Sequence, residues 1–375
     1  MKFVISTQEI NYIINKCQNV VAQKSAIPVL SNFMIEAKKG EVVVTATDLT
    51  VGVRCVAEAK VFEEGVTTLP AKKLSSLLRE LTAVNVEIST NENHITEIQA
   101  DSSRFKLNGM GCGEFPSLPD FKDAVKICFS QAELKDMFYR TAFAVSKENN
   151  RYALTGVLLR IASGKACFIG TDGKRLASTH MNIALDPSFA ASYIIPIKAV
   201  EEILKCLKDD GQVNVYLKTD KIAVETEDTL LFSKLLSGDY PDVSRVIPET
   251  SEAAVCLHRE ELSTLLKQVA LFAADANHSV RFSFVDGELK LSANTMEIGE
   301  GKVSMPVNYH GAELNIAFNP TYFLDILRHT KGETVSMGLT DSFNPGVITD
   351  QEGVSMPTKE ASPLYVIMPM RLNGE

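Results

Sequence analysis

The sequence predicts an α+β fold built from three copies of one domain, each with two amphipathic helices and several strands. Three observations support this prediction. The same helix-start signature occurs three times, a similar strand and turn follow each start, and a second helix then begins behind a proline. The period is about 122 to 128 residues, so each copy is large enough to bury its own core and the chain is not a solenoid.

The first helix of each copy has a recognisable start. It reads "STQEINYIINKC" from Ser6, "SQAELKDMFYRT" from Ser130 and "HREELSTLLKQV" from His258. Ser6 and Ser130 each precede a glutamate by three residues, which fits a capping box, and His258 begins a degraded copy. Apolar residues then recur at helical spacing, which predicts one buried face per helix. They are Ile10, Ile13, Ile14 and Cys17; Leu134, Met137 and Phe138; and Leu262, Leu265, Leu266 and Val269.

A strand and a turn follow each first helix at a nearly constant distance. In the first two copies an aspartate, Asp48 or Asp172, comes thirty-eight residues after the first apolar residue of the helix. In the third copy Asn294 takes this place after thirty-two residues, so we expect a shorter intervening hairpin. The matched spacing predicts that the three segments are equivalent.

A second helix is predicted behind Pro70, Pro196 and Pro320, because proline suits the first helical turn. Each copy closes with a proline-bearing stretch: "EFPSLPD", "DYPDVSRVIP" and "SPLYVIMPM". Linkers are predicted near residues 115–126 and 239–251, which are rich in Pro, Ser and charge.

Composition excludes several classes of protein. The chain has 375 residues, 45% hydrophobic and 23% charged, which is typical of a folded protein. No signal peptide or apolar run of membrane-spanning length is evident, so the cytoplasm is the expected location. The seven cysteines form no CxxC pair, which indicates reduced, mostly packed thiols. The net charge of −9 argues against general attraction to nucleic acid unless the charge is unevenly distributed.

Several motifs in order resemble one known family. They are "MKF" at the start, "IPVLSN" at 27–32, "TATDL" at 45–49, "TDGKRLA" at 171–177, "DYPD" at 239–242 and "MPMRL" at 368–372. Together they resemble the bacterial sliding clamps, the beta subunits of DNA polymerase III. The resemblance covers the whole chain. It implies clamp domains at 1–122, 123–249 and 250–375, and a head-to-tail homodimer that forms a ring around duplex DNA, with helices lining the hole.

The distribution of charge is compatible with a cationic lining. The six helical windows, 7–24, 71–82, 130–147, 197–208, 258–272 and 320–331, hold 15 Lys and Arg and 9 Asp and Glu, a balance of +6. The rest of the chain must therefore carry −15 to give the total of −9. A cationic lining would attract phosphates inside the ring, although solvated helix faces remain an alternative explanation.

The resemblance also implies which residues contact DNA. A sliding tether should contact phosphates through mobile cationic side chains and avoid base edges, so that retention is topological. Glu148 departs from the neutral polar residue that the family often carries there, which shifts the expected contact to its neighbours. The alternative for each lysine is a solvated surface charge. The implied DNA-contacting residues are Lys24, Lys72, Lys73, Lys147, Arg151, Tyr152 and Lys198.

The apolar run "YVIMPMRL", residues 365–372, predicts a buried last strand that Pro369 stops. In the family this segment helps to form a hydrophobic groove for partner peptides, in which apolar side chains supply affinity and Arg175 and Arg245 hold polar or terminal groups. A last strand that merely closes a core is the alternative. Asn373, Gly374 and Glu375 extend beyond the family's usual end. The implied groove residues are Leu154, Thr171, Gly173, Lys174, Arg175, Leu176, Pro241, Arg245, Val246, Val366, Ile367, Met368, Pro369, Met370, Arg371 and Leu372.

Ring closure requires contact between domain one of one subunit and domain three of the other. The resemblance places Phe105 and Leu107 on one side of this interface and Leu271 and Phe272 on the other. Alternation in residues 104–107 suggests an edge strand that can pair with another chain, and an internal core strand is the alternative. The implied partners are a second copy of the chain, double-stranded DNA, a clamp-loader ATPase, and the replicative polymerase with other proteins that carry clamp-binding motifs.

The sequence gives little support to the hypothesis that the protein is an enzyme. The six histidines show no HExxH spacing, no P-loop occurs, and "GMGCGEFP" at 109–116 lacks the spacing of a nucleotide loop. Cys112 in that stretch has no recognisable partner histidine, so a tight turn is the simpler interpretation. We therefore expect a non-catalytic processivity factor without a cofactor, found in the cytoplasm and associated with the nucleoid. A peptide-binding scaffold with the same triplicated fold is the alternative.

Overall fold

The computed structural model describes residues 1–22, 26–249, 251–273, 278–354 and 356–371. Within these ranges the fold is α+β, as predicted, with six α-helices at the six predicted places. They are α1 Thr7–Cys17, α2 Ala71–Glu80, α3 Gln131–Ala142, α4 Ile197–Cys206, α5 Arg259–Ala270 and α6 Pro320–His329. The third helix ends earlier than the predicted window of 130–147, so Lys147 lies on the loop that follows it.

The chain divides into two compact units, Met1–Lys135 with Ile195–Leu236, and Asp136–Ile194 with Ser237–Glu375. The first unit contains a five-stranded antiparallel sheet in the order β5-β1-β7-β8-β9 and an eight-stranded one in the order β10-β15-β16-β17-β4-β3-β2-β6. The strands are β1 Lys2–Ser6, β2 Asn32–Lys38, β3 Glu41–Thr47, β4 Val51–Glu58, β5 Lys60–Glu63, β6 Gly65–Pro70, β7 Asn85–Thr90, β8 Ile95–Ala100, β9 Ser103–Asn108, β10 Val125–Ser130, β15 Gln212–Leu217, β16 Lys221–Glu225 and β17 Thr229–Lys234.

The second unit contains an eight-stranded sheet in the order β14-β11-β12-β13-β25-β24-β23-β18, apart from the last two residues of β14, and a four-stranded sheet in the order β21-β20-β19-β22. The strands are β11 Gly156–Ala162, β12 Lys165–Thr171, β13 Arg175–Asn182, β14 Ala191–Pro196, β18 Ala253–His258, β19 Val280–Val285, β20 Glu288–Thr295, β21 Gly299–Pro306, β22 Leu314–Phe318, β23 Thr334–Leu339, β24 Gly346–Thr349 and β25 Leu364–Ile367.

The predicted helix starts are confirmed where the structure describes their caps. The Ser6 hydroxyl accepts a hydrogen bond from the Glu9 amide at 3.2 Å, and His258 Nδ1 accepts one from the Glu261 amide at 3.4 Å. Pro320 is the first residue of α6, as predicted, and Asn319 caps that helix. Prolines 70 and 196 instead stand one residue before their helices, as caps, because each is still the last residue of an incoming strand.

The predicted apolar faces are buried in all three first helices. On α1 the four predicted side chains are at most 1% exposed, and on α5 Leu262, Leu266 and Val269 are equally covered. Met137 and Leu265 are only half-buried because they lie at the margins of the stripe. Each helix therefore buries one face, as amphipathic spacing requires.

The turns after β3 and β12 are built in the same way, which supports the repeat. Asp48 accepts hydrogen bonds from the amides of Thr50 and Val51, and Asp172 accepts them from the amides of Lys174 and Arg175. Each aspartate follows a strand-ending threonine whose hydroxyl donates to a carbonyl four residues on. The sequence thus encodes both turns through side-chain acceptors.

The predicted equivalence of Asn294 is wrong by one residue. Asn294 lies inside β20, paired with Glu300. Thr295 instead takes the place of the two aspartates, because its hydroxyl accepts from the amide three residues on, that of Ile298. The expected shorter hairpin is also wrong. The hairpin turns at 39–40 and 286–287 both have two residues. The third copy is shorter in the connection between α5 and β19 than the first copy is between α1 and β2.

The last strand of each later repeat pairs with a strand of the repeat before it. Strand β17 pairs with β4, with Leu231 opposite Val53, and β25 pairs with β13, with Val366 opposite Leu176. All four residues of β25 are buried, so the run at the end of the chain does close a core. Both compact units therefore contain a junction between consecutive repeats.

Candidate functional site

A groove on the second unit, which we call the C-terminal groove, gathers residues from four parts of the chain. It encloses about 180 Å³. Its lining comes from the segment before β11, the β12–β13 hairpin, the segment at 241–246 and the end of β25. The lining residues are Arg151, Leu154, Thr171, Gly173, Arg175, Leu176, Pro241, Asp242, Val243, Val246, Val366 and Met368.

The floor of the groove is the seam between β13 and β25. Leu176 and Val366 lie opposite each other in the strand pairing and are 2% and 1% exposed. Beyond the strand, the Met368 amide donates to the Lys174 carbonyl at 3.0 Å, which holds the chain against the hairpin for one more residue. Met368 itself is 38% exposed, so its thioether is available at the surface.

The outer wall is a short 3₁₀ turn, Val243–Val246, whose position is set by the two residues Tyr240 and Asp242 that precede it. Tyr240 donates its hydroxyl to the Ile169 carbonyl at 3.3 Å, and burial raises the pKa of this tyrosine. Asp242 caps the turn by accepting from the side chain and amide of Ser244, and these bonds lower the pKa of the carboxyl. Val246 is left 41% exposed at the rim.

Arg151 lies over the hairpin at one end of the groove. Gly173 has a φ of +86°, and a Cβ there would come within 2.6 Å of the Arg151 guanidinium. The positive φ favours a glycine at this turn, and its missing side chain lets the Arg151 guanidinium lie against the hairpin. The exposed Arg151 guanidinium supplies a positive charge at this end of an otherwise apolar groove.

Arg175, which the resemblance implies as a residue that receives a peptide's polar groups, is bound to other parts of the protein. Its side chain is 6% exposed and pairs with Asp172 at 3.2 Å and with Asp325 at 2.7 Å. A third bond runs from Nη2 to the Phe143 carbonyl at 2.9 Å, and the guanidinium carbon lies 4.6 Å from the Tyr322 ring centroid. Because each of its three guanidinium nitrogens donates one hydrogen bond within the protein, Arg175 supports the floor of the groove.

The structure brings nine of the sixteen predicted groove residues to the lining. Ile367 is excluded because alternation along β25 turns it to the opposite face, where it is fully buried. Arg245 points to solvent, its side chain 84% exposed and paired with Asp242. Lys174, Pro369, Met370 and Arg371 lie outside the lining, and Leu372 lies outside the described residues.

Three lining residues were missed as groove residues. Asp242 is the last residue of the "DYPD" motif, and Val243 follows it. The sequence signal that could have found them is this proline-bearing segment, which must fold beside the hairpin. Arg151 was assigned to DNA, because its basic character gives no indication of which of two adjacent surfaces it serves.

A second cavity of about 370 Å³ shares Arg151, Gly173 and Arg175 with the groove. It adds the predicted DNA-contacting residue Lys147 and the predicted groove residue Lys174. Cationic side chains thus continue from one end of the groove onto the adjoining surface. Its other lining residues are Val145, Ser146, Glu148, Asp172, Thr321, Tyr322 and Asp325.

The other predicted DNA contacts are placed as follows. Lys72 and Lys73 are exposed on α2, and Tyr152 is 57% exposed. Lys198 is half-buried and forms an ion pair with Asp48, so its charge is already partnered within the first unit. Lys24 lies outside the described residues.

The predicted edge strand is confirmed. Strand β9 is the last strand of the five-stranded sheet, and its Phe105 and Leu107 are half-buried. In the third repeat β21 is an edge strand as well, and Phe272 packs against its Gly301, where a Cβ would come within 2.6 Å of the ring. Leu271 is 74% exposed. Met296 and Ile298, in the connection between β20 and β21, are also exposed apolar residues and were not predicted.

Two further findings concern metal binding and membrane spanning within the described ranges. No group of three His, Cys, Asp or Glu side chains is arranged there to hold a metal ion. Among the described helices, none combines the length and the apolar character needed to cross a membrane.

Comparisons with known proteins agree along the whole chain. Three family models match: DNA polymerase III beta subunit N-terminal domain at residues 1–119, central domain at 129–242 and C-terminal domain at 244–371. The beta sliding clamp of Chlamydia pneumoniae is 53% identical over 375 residues, with 100% of both chains covered. That of Escherichia coli K12 is 32% identical, with 99% of this chain and 100% of the relative covered.

Solved structures show the same similarity. The DNA polymerase sliding clamp of Bacillus subtilis superposes with a TM-score of 0.92 at 26% identity, covering 99% of each chain. The Pseudomonas aeruginosa sliding clamp bound to griselimycin gives 0.93 at 29% identity, covering 99% of this chain and 100% of that one. The triplicated fold and the groove beside its last strand therefore define the class of DNA sliding clamps. The chain belongs to the DNA polymerase III beta subunit family.

Proposed function

We propose that this protein is a processivity factor, a ring-shaped homodimer that encircles duplex DNA and tethers the replicative polymerase and other proteins through the C-terminal groove. It acts without catalysis or a cofactor, in the cytoplasm and at the nucleoid. The observation that carries the proposal is the pair of edge strands, β9 in the first repeat and β21 in the third. Clamp domains at 1–122, 123–249 and 250–375 are supported by the ranges of the three family matches.

The repeat predicts how two copies join. Within the chain, β17 pairs with β4 and β25 pairs with β13. Strand β9 holds the same place in its repeat as β17 and β25, and β21 the same place as β4 and β13. Pairing β9 with a partner's β21 in this register sets Phe105 opposite Gly301 and Lys106 opposite Glu300. The first pair is apolar and the second is oppositely charged, as a stable edge contact requires. Two such contacts close a head-to-tail ring.

The DNA-facing surface follows from the exposed cations. Lys72 and Lys73 on α2, and Lys147, Arg151 and Tyr152 in the second repeat, are exposed and can contact phosphates through mobile side chains. Lys24 belongs to the same proposal by family resemblance. Asp48 neutralises the charge of Lys198. Lys198 therefore contacts DNA through the N–H donors that Asp48 does not accept from.

The groove fits an extended peptide with apolar side chains. Leu176 and Val366 form a floor, Val246 and Met368 form exposed rims, and Arg151 is placed to meet an acidic residue or a terminal carboxylate. The proposed occupants are clamp-binding segments of the polymerase, of the loader ATPase and of other partners.

Retention on circular and linear DNA tests the proposal. The clamp is loaded with the loader ATPase onto nicked circular duplex, isolated by gel filtration, and the circle is then cut once. We expect retention on the circle and release after cutting, because a topological link has no sequence-specific grip. Retention that survives linearisation, or an absence of retention on the circle, would contradict the ring and favour a peptide-binding scaffold.

A further inference from the structure

Each junction between consecutive repeats is held by a covered ion pair that runs from the first helix of one repeat to a loop of the next. At the first junction Lys16 on α1 donates to both oxygens of Asp228 at 3.0 Å and to the Thr229 hydroxyl at 3.0 Å. Tyr12 donates to the same carboxylate at 2.9 Å. Lys16 is only 8% exposed, because the second repeat covers it.

The second junction repeats the arrangement with an arginine. Arg140 on α3 donates from Nη1 to both oxygens of Asp350 at 3.0 and 3.1 Å, and from Nε to Asp136 at 2.9 Å. It is also 8% exposed. Asp228 and Asp350 both lie in the loop that joins the last two strands of a repeat. We call Lys16–Asp228 and Arg140–Asp350 the junction ion pairs.

The third repeat lacks the cation of this arrangement. Lys16 and Arg140 each stand ten residues after the residue that precedes the helix, Ser6 or Ser130. Ten residues after His258 stands Gln268, which is neutral and exposed. The helical stripes confirm this alignment, because the residue two before each of these positions is a buried apolar one: Ile14, Phe138 and Leu266.

The loop of the first repeat has no anion at the position of Asp228, and its aspartate, Asp101, stands one residue earlier. Asp228 is the second residue of the two-residue turn between β16 and β17. The corresponding turn between β8 and β9 is Asp101 and Ser102, so a serine stands where Asp228 stands. Both residues of this turn are exposed. In the ring proposed above, this turn of one subunit would face Gln268 of the other.

A second contact shows the same difference. Asp48 pairs with Lys198 at the first junction, and at the second junction Arg175, held by Asp172, pairs with Asp325. The equivalent of these two turn aspartates in the third repeat is Thr295, as its turn bond to Ile298 shows. At two sets of positions, far apart in sequence, neutral residues thus stand where the junctions inside the chain have charged ones.

The junction ion pairs are net attractive in their surroundings. Burial opposes the charge of Lys16, yet its hydrogen bonds and the nearby Asp228 charge raise its pKa. Burial likewise opposes ionisation of Asp228, yet the bonds from Lys16 and Thr229 hold its pKa at about 2. The same balance raises the pKa of Arg140. Attraction thus exceeds the cost of desolvation, as measured cycles on close charge pairs at some interfaces also find.

We propose that Gln268, Ser102 and Thr295 keep the contact between two copies of this chain free of the ion pairs that lock both junctions inside it, so that the ring separates at this contact. The inference rests on the proposed homodimer. It assigns these three neutral residues to the control of ring opening, with a second copy of the chain as the partner.

Installing the missing pair tests the inference. Gln268→Lys with Ser102→Asp recreates the pair of Lys16 with Asp228 across the subunit contact. The single variants complete a double-mutant cycle, and Gln268→Lys with Ser102→Asn is the matched control that lacks the carboxylate. Lys16→Gln with Asp228→Ser is the reverse exchange inside the chain. Thermal melting establishes that each full-length variant folds.

The dimer dissociation constant, from fluorescence-detected sedimentation, and the lifetime of loaded protein on circular DNA are the readouts. We expect the double variant to lower the dissociation constant about tenfold beyond the product of the single effects and to lengthen the lifetime in proportion. The asparagine control should show no such gain, and the reverse exchange should lower the melting temperature without changing the dissociation constant. A combined effect within about twofold of the product would overturn the inference.

Failure of the inference and failure of the proposed function remain distinguishable. Wild-type protein that stays monomeric at all concentrations would contradict the ring itself, whatever the variants do. Wild-type protein that dimerises and is retained on circles, with no coupling between positions 268 and 102, would leave the function standing and remove only the role assigned to the neutral residues.

Discussion

Arg175 Nη1 lies 2.7 Å from Asp325 Oδ2, and this ion pair joins the hairpin beneath the C-terminal groove to helix α6. The two side chains are 6% and 23% exposed, so the contact is largely shielded from water. Arg175 belongs to the second repeat and Asp325 to the third. The floor of the groove therefore depends on the junction between these repeats.

Arg175→Ala should destabilise the protein strongly. It removes one partner from a buried network and leaves Asp325 Oδ2 and the Phe143 carbonyl without the donor that Arg175 supplies, which typically costs about 3–5 kcal/mol. Urea unfolding followed by circular dichroism measures the loss. Arg245→Ala is the matched control, because Arg245 pairs with an aspartate at the same spacing but is 84% exposed, and it should change stability by less than about 1 kcal/mol. Equal effects would mean that Arg175 is not structural.

Met368→Asp should weaken binding of a clamp-binding peptide while leaving the fold intact. The thioether is 38% exposed at the rim of the groove, and a carboxylate there would be desolvated without a partner when a peptide binds. We expect at least about a tenfold rise in the dissociation constant by fluorescence anisotropy, equivalent to about 1.4 kcal/mol. Met356→Asp, at a methionine 42% exposed outside the groove lining, should leave affinity unchanged. An equal loss in both variants would remove Met368 from the binding surface.

The sequence predicted the elements of this fold well because each is encoded locally. Apolar spacing and the positions of prolines predicted the six helices that the described residues form, and the capping residues Ser6 and His258 do accept the expected bonds. The Asp-Gly turn at 172–173 lies between β12 and β13, as its composition required. Most of the groove lining was implied by the family resemblance, which could be carried over residue by residue because the hairpin and the last strand are contiguous segments.

What the sequence could not predict depends on side-chain direction and on contacts between distant residues. Ile367 and Val366 are neighbours with similar chemistry, and only the pairing of β25 decides which one faces the groove. The charge of Arg175 favours a role in binding a peptide, but its Nη1 donates a hydrogen bond to Asp325, 150 residues away. Thr295 was missed because its role is a single hydroxyl bond that no composition rule specifies.

Phe105→Ala should weaken the homodimer. Phe105 is half-buried on edge strand β9, where a partner's β21 would complete its burial, and losing most of an aromatic contact at the centre of an interface typically costs 2 kcal/mol or more. Sedimentation velocity should show monomer at concentrations where the wild type is dimeric. Phe343→Ala, at a phenylalanine 78% exposed and distant in sequence from both edge strands, should leave the dimer unchanged. An unaltered dimer in the Phe105 variant would exclude β9 from the contact.

The Lys16–Asp228 pair should make stability depend on pH in acid. The pKa of Asp228 in the folded protein is about 2, below its ordinary value of 3.8. A carboxyl whose pKa is lowered by folding stabilises the protein above its unfolded pKa, and this contribution disappears as the pH falls from about 4 towards 2. The difference of nearly two pKa units corresponds to roughly 2 kcal/mol at neutral pH.

Urea unfolding of the wild type and Asp228→Asn between pH 2 and pH 7 measures this contribution. We expect the wild type to be more stable at pH 5 to 7 and the advantage to shrink steadily below pH 4, because the unfolded chain then binds a proton at Asp228 that the folded protein does not bind until about pH 2. Glu227→Gln removes the neighbouring, exposed charge of the same turn and should give a difference with little pH dependence. A wild-type advantage that persists undiminished at pH 2 would show that the hydrogen-bond geometry of Asp228, and not its charge, holds the first junction.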